Sequence, residues 1–188
     1  KKKYDRDELV GKAMELFRDH GFAGTSAEML AEGLGVNCYS IYAEFGSKQG
    51  LFEAALKRYD EEVVERNFGP LEMPSAGLDE IRTLLEFFGN AKASPALGRG
   101  CLLCNTAVEF GPEDPGGAGF VQRYFNRLSA AFLAALDNAH ADGKLRASAD
   151  PGKEAGFLTA SVLGMFVMLR ARAPLTVIES AAEAAIEH

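Results

Sequence analysis

The stretch TSAEMLAEGLGVNCYSIYAEFGSKQGLF, residues 25–52, constrains this chain most. It holds two short helices and the start of a third, and each boundary has a chemical marker. Thr25 and Glu28 stand three apart ahead of an apolar run, the spacing of a capping box. Met29, Leu30 and Leu34 fall on one side of the helix that follows. Gly35 permits a sharp turn, with Val36 as an apolar plug behind it. Asn37 is a good N-cap for a second helix over 38–44, and Ser47 caps the third. Such a unit holds one short helix proud of the surface, braced by another at a steep angle. That geometry suits insertion into a DNA major groove.

Several fixed offsets match a known pattern: Thr25 and Ser26, Ala31 and Glu32, Gly35 and Val36, Ser40 to Tyr42, Phe45 to Lys48, then Leu51 and Phe52. Together they resemble the DNA-binding domain of the TetR family of bacterial transcriptional regulators. The resemblance implies that Asn37, Cys38, Tyr39, Ser40 and Tyr42 face the groove. Tyr39 would stack on base or sugar edges, Ser40 would bond a base edge or phosphate, and Tyr42 would donate its hydroxyl to a phosphate. Thr25 and Ser26 would meet the backbone at a helix N-terminus, where free amides favour anions, and Lys48 would do so at the next. Two positions depart from the family's pattern. Cys38 stands where a basic or polar residue is common, so Cys38→Arg is expected to raise DNA affinity. Glu44 stands where a neutral or basic residue is common, and near phosphates it would repel them.

Charge bears on the same point. The formal net charge is −7, and residues 1–50 carry seven Lys or Arg against eight Asp or Glu. DNA affinity depends on local cations meeting phosphates, and Lys1, Lys2, Lys3 and Arg6 cluster at the start. A modest affinity and a shallow salt dependence are expected, and a regulator-like protein with weakened DNA binding is one alternative reading.

Hydrophobic residues make up 47% of the 188, enough for a real core, and the patterning favours an all-α chain of about nine helices. No run reads as long enough to span a membrane; the most apolar, 157–169, contains Thr159, Ser161 and Gly164. The opening Lys-Lys-Lys-Tyr is not the pattern of a secretory signal. Three cysteines without a signal point to the reducing cytoplasm. The first domain is expected over 1–50, with a helix over 48–68 as the link. A helical ligand-binding and dimerisation domain is expected over 51–188.

Along the chain, Asp5 and Glu8 cap a first helix that Gly21 stops near His20, and Phe22 packs back on the core. Further helices are expected over 77–90, 100–110, 114–141, 150–172 and from 176 to the end. Asp114-Pro115 and Asp150-Pro151 both pair an N-cap with proline at the first helical position. Thr176 and Glu179 form a capping box for the last helix.

In the resembled family the second domain encloses a small-molecule pocket, apolar with a few polar groups. Phe87, Phe88, Phe110, Phe125, Leu128, Phe132, Thr159, Leu163 and Phe166 are candidate lining, with Cys104, Asn105 and Glu109 as the polar contribution. The helix over 150–172 is apolar nearly all round, so a partner must cover one side. Phe157, Ala160, Ser161, Gly164 and Met168, with Ile178 and Ala182 of the last helix, are the expected homodimer interface. The reading is a ligand-responsive regulator, a repressor released from a palindromic double-stranded operator by a largely apolar effector. Cys101 and Cys104 read as small hydrophobes; a thiol-sensing regulator built on them is the other alternative. No metal ligand set, cofactor motif, nucleophile elbow or phosphate loop is present, so no enzyme is expected.

Overall fold

The computed structural model describes residues 4–111 and 119–188. The lysine cluster at 1–3 and the expected cap at Asp114-Pro115 lie outside them. Among the described residues helices are the regular secondary structure, and there is no strand.

Helix α1 (Arg6–Gly24) starts where the Asp5 carboxylate accepts from the Asp7 amide at 2.9 Å. Its stripe of Leu9, Ala13 and Phe17 is buried. Gly21 sits at φ 75°, ψ 178°, a region essentially open to glycine alone, and breaks the helix as expected. One further turn then carries the chain to Gly24. Helix α2 (Ala27–Leu34) is capped one residue later than the spacing predicts: Ser26 Oγ accepts from the Met29 amide at 3.2 Å. Thr25 is still packed against the core and spends its hydroxyl on the Gly21 carbonyl at 2.6 Å. Glu28 bonds its own amide and then Ser26, and these bonds lower its pKa. Gly35 turns the chain in the left-handed region, and Asn37 caps α3 (Cys38–Phe45) through the Ser40 amide at 2.8 Å. Ser47 caps α4 (Lys48–Tyr59) through the Gly50 amide at 3.0 Å.

The helix expected over 48–68 is not uniform. After α4 comes a widened π turn, Asp60–Val64, and only then α5 (Glu65–Phe68). The remaining helices are α6 (Leu78–Gly89), α7 (Leu102–Phe110), α8 (Phe120–Ala141), α9 (Pro151–Arg170) and α10 (Leu175–Glu187). Asp150 caps α9 with Pro151 in the first turn, as expected. Pro174 precedes α10, which has no side-chain cap, so the Thr176–Glu179 box does not form.

The described chain packs as two compact units, 4–63 with 101–111 and 119–121, and 64–100 with 122–188. The expected boundary at residue 50 falls inside the first. The physical reason is α4: Leu51, Phe52, Ala55, Leu56 and Tyr59 are all buried, and the core of the head is incomplete without them. Helix α7, expected in the second domain, packs in the first unit. There Phe110 joins Phe22 and Phe52, with ring centroids 5.3 and 5.9 Å apart. Phe17 meets Phe52 edge-on at 4.8 Å.

In the second unit Phe88 and Phe166 meet at 5.0 Å, and Phe132, Leu85, Val162 and Ile178 are fully or almost fully buried. Arg127 on α8 holds the carboxylates of Glu65 and Glu72, and Asn138 Nδ2 donates to the carbonyls of Pro74 and Ala76. Helix α9 has 20 residues and a window of mean hydropathy 1.3, so by length and composition it can cross a membrane, contrary to the sequence expectation. One face of it, from Ala155 and Leu158 to Leu169, is buried in the second unit.

Candidate nucleic-acid interface

The turn between α2 and α3 fixes what the head presents. Gly35 and Val36 both donate to the Ala31 carbonyl, at 3.0 and 3.2 Å, which closes the α2 C-terminus and swings α3 away at once. Leu30, Leu34 and Ile41 bury the inner faces of both helices. The outer face of α3 then carries Tyr39, 82% exposed, with Ser40 and Tyr42 half-buried beside it. A tyrosine this exposed is not packing the core; it is an aromatic plane and a hydroxyl held on a rigid helix. Asn37, the cap, is also exposed.

Other expected contacts fare differently. Thr25 is fully buried with its hydroxyl engaged, so its side chain cannot reach a phosphate; Ser26 is the exposed hydroxyl at that corner. Cys38 is half-buried, and its Sγ donates to the Ala27 carbonyl at 3.3 Å, tying α3 to the first turn of α2. That bond changes the expectation for Cys38→Arg, because the longer side chain would cost the tie between the two helices. Lys48 lies at the α4 N-terminus, with its Nζ 4.4 Å from the centre of the Phe22 ring.

Glu44 does not stand as a bare charge. Arg6 Nε lies 3.5 Å from its carboxylate, and the Glu44 side chain is only 9% exposed. The same guanidinium lies over the Phe45 ring at 5.0 Å. Arg6 thus neutralises the acidic residue that α3 carries near its C-terminus. In the sequence Arg6 belongs to a basic cluster, and no local signal marks this pairing.

The candidate effector residues do not gather in one place. Phe88, Leu128, Phe132 and Phe166 lie in the second unit and are buried, and Phe125 there is half-buried. Cys104, Asn105 and Glu109 sit on α7 in the first unit. Glu109 accepts from the Phe22 and Ala23 amides at 2.9 and 2.6 Å, so its carboxylate is committed to the head. Cys104 is buried, and desolvation followed by the neighbouring Cys101 pushes its thiol up to about 12. The second unit does have a groove of about 360 Å3, lined by Arg66, Thr83, Leu84, Phe87 and Phe166 among others. Of the predicted lining, Phe87 and Phe166 reach it.

On α9, Phe157 is 44% exposed and Val167 44%, and Ala160 and Gly164 are exposed on the same side, with Ser161 and Met168 half-buried. Ile178 and Ala182 are fully buried within their own chain, so neither is available to a partner. The exposed apolar residue of α10 is Val177, at 51%.

The head matches the model of the bacterial regulatory proteins of the tetR family over residues 9–55, and a tetracyclin repressor-like C-terminal domain matches over 77–185, more than half of the chain. The protein belongs to the TetR family. The chain is 30% identical to the HTH-type transcriptional repressor ComR of Escherichia coli over 179 residues, 93% of this chain and 83% of that one. It is 33% identical to the HTH-type transcriptional regulator YezE of Bacillus subtilis, over 77% of this chain and 74% of its relative. Among solved structures, a cysteine-substituted form of the TetR-family regulator CifR in complex with 26-base-pair operator DNA superposes with a TM-score of 0.83 at 27% identity. That match covers 100% of this chain and 98% of the other. This TetR-family chain is a DNA-binding transcriptional regulator. The exposed face of α3 is its candidate reading surface.

Proposed function

We propose that this TetR-family regulator is a cytoplasmic homodimeric repressor that leaves a near-palindromic operator when a small, largely apolar molecule binds its second unit. The observation that carries the reading is Tyr39, held 82% exposed on a short helix braced by a turn of the helix-turn-helix kind. Repressor names among the relatives, ComR for one, support the direction of control. The bare apolar side of α9 supports a dimer, and a dimer of reading heads matches a two-fold related site. The groove of about 360 Å3, with Phe87 and Phe166 beside Arg66 and Thr83, supports an apolar effector bearing a polar end. An effector need only prefer one of two states, and typical couplings of about 1–3 kcal/mol suffice.

A thiol-responsive version is the second reading, favoured by Cys104 on α7 and Cys101 at its N-cap, both in the DNA-binding unit. Against it, both are buried, and a thiol raised to about 12 as Cys104 is holds almost no thiolate near neutrality. One experiment separates the two. Duplexes selected from random sequence by the purified protein are titrated in a gel-shift assay, with and without a panel of apolar carboxylates, amines and phenols, and again after diamide. Two-fold related sites released by a panel compound, with no response to diamide, support the proposal. Release by diamide alone, abolished in a Cys101→Ser/Cys104→Ser variant, would falsify it.

A further inference from the structure

We propose that Glu109 is a positioning residue for operator binding: its carboxylate, seated on the Phe22 and Ala23 amides, fixes the corner from which α2 and α3 are presented. The inference rests on the DNA-binding reading of the head and adds to it a residue outside the helix-turn-helix.

The corner is built around a backbone break. Gly21 at φ 75°, ψ 178° turns the next two N–H groups outward from α1 in the same direction. An amide pair of this kind makes a small anion seat. Glu109 fills it with both oxygens, Oε2 on Phe22 at 2.9 Å and Oε1 on Ala23 at 2.6 Å. Gly21 leaves the room: a Cβ there would stand 3.0 Å from Glu109 Oε2. The Gly21 carbonyl then accepts from Thr25 Oγ1, and the Thr25 amide donates to Phe22. Ser26 caps α2 directly afterwards, and Ala27 accepts from Cys38 of α3. Hydrogen bonds and the intervening residues 22–27 thus link Glu109 to the first turn of the reading helix. Phe22 and Phe110 give it an apolar backing at 5.3 Å.

Glu109 also enters the head by an unusual route. The helix that bears it is flanked in sequence on both sides by segments of the second unit, ending at Gly100 and resuming at Gln122.

The test uses the full-length protein and a duplex selected by the wild type. Glu109→Ala is expected to weaken operator binding about tenfold, the scale of hydrogen bonds to a charged group. Glu109→Gln, which keeps one acceptor oxygen, is expected to lose less. Glu109 touches no phosphate, so the slope of log affinity against log salt stays at the wild-type value. Stoichiometric titration reports the active fraction, which separates mispositioning from simple unfolding. Gly21→Ala crowds the same seat, so adding Glu109→Ala to it is expected to cost little more. Unchanged affinity in Glu109→Ala, a loss equal to the fall in active fraction, or full additivity with Gly21→Ala overturns the assignment. A wild-type protein that selects no DNA sinks the DNA-binding reading of the head, and this inference with it.

Discussion

Arg6 reaches from the first turn of α1 to Glu44, and the pairing changes what Glu44 means. Read along the chain, a carboxylate near the end of the reading helix repels phosphates. In the fold it is 9% exposed and faces a guanidinium at 3.5 Å. Arg6→Ala is therefore expected to lower operator affinity about threefold to fivefold, in line with the worth of a half-exposed pair. Adding Glu44→Gln should restore most of it, as read by fluorescence anisotropy at fixed salt. If the double variant binds no better than Arg6→Ala, Arg6 meets DNA directly and the pairing is incidental. Local marks were legible at this scale: Asn37 and Ser47 cap as their types predict. Thr25 was not, because whether position 25 or 26 is exposed depends on how α1 meets the core, and capping preference treats the two hydroxyls alike.

Helices α3 and α4 meet at a corner with no spare room. A Cβ on Gly50 would stand 2.1 Å from the Phe45 carbonyl oxygen, and a backbone atom cannot swing aside as a side chain can. Gly50→Ala should destabilise the fold by about 1–3 kcal/mol, the cost of forced overpacking. Urea unfolding checks it against Gly89→Ala, whose new Cβ meets nothing within 4 Å. Equal stability of the two would mean that the corner relaxes freely. Element positions were largely readable, since apolar periodicity and caps are local. Two features were not. The π turn at Asp60–Val64 interrupts a sequence that is helical in pattern throughout. The inward face of α10 is the other: Ile178 and Ala182 are apolar, and only packing decides whether such residues face their own chain or a copy.

At the scale of the molecule the exposed apolar side of α9 is the surface on which the proposed dimer would close. Phe157 and Val167 are each 44% exposed, and the small Ala160 and Gly164 between them allow close approach. Val167→Glu is expected to shift the protein from dimer to monomer in sedimentation velocity while leaving its helical circular dichroism intact. Operator affinity should fall by about a hundredfold or more, because two linked heads bind with effective concentrations that one head lacks. A monomeric variant that binds as tightly as the wild type would rule out the paired-head arrangement.

By itself the sequence determined that this chain is helical, that residues 25–52 form a helix-turn-helix, and that Asn37 and Ser47 cap its second and third helices. Those properties depend on neighbours within a few positions, and resemblance could reach the family through the same residues. Tertiary structure decided what long-range packing controls. It placed α7 with the head, buried Thr25, gave Glu44 its partner, and turned Glu109 from an expected effector contact into an anchor on the α1–α2 corner. None of these has a local signature, because each depends on which distant segment the hydrophobic core brings alongside.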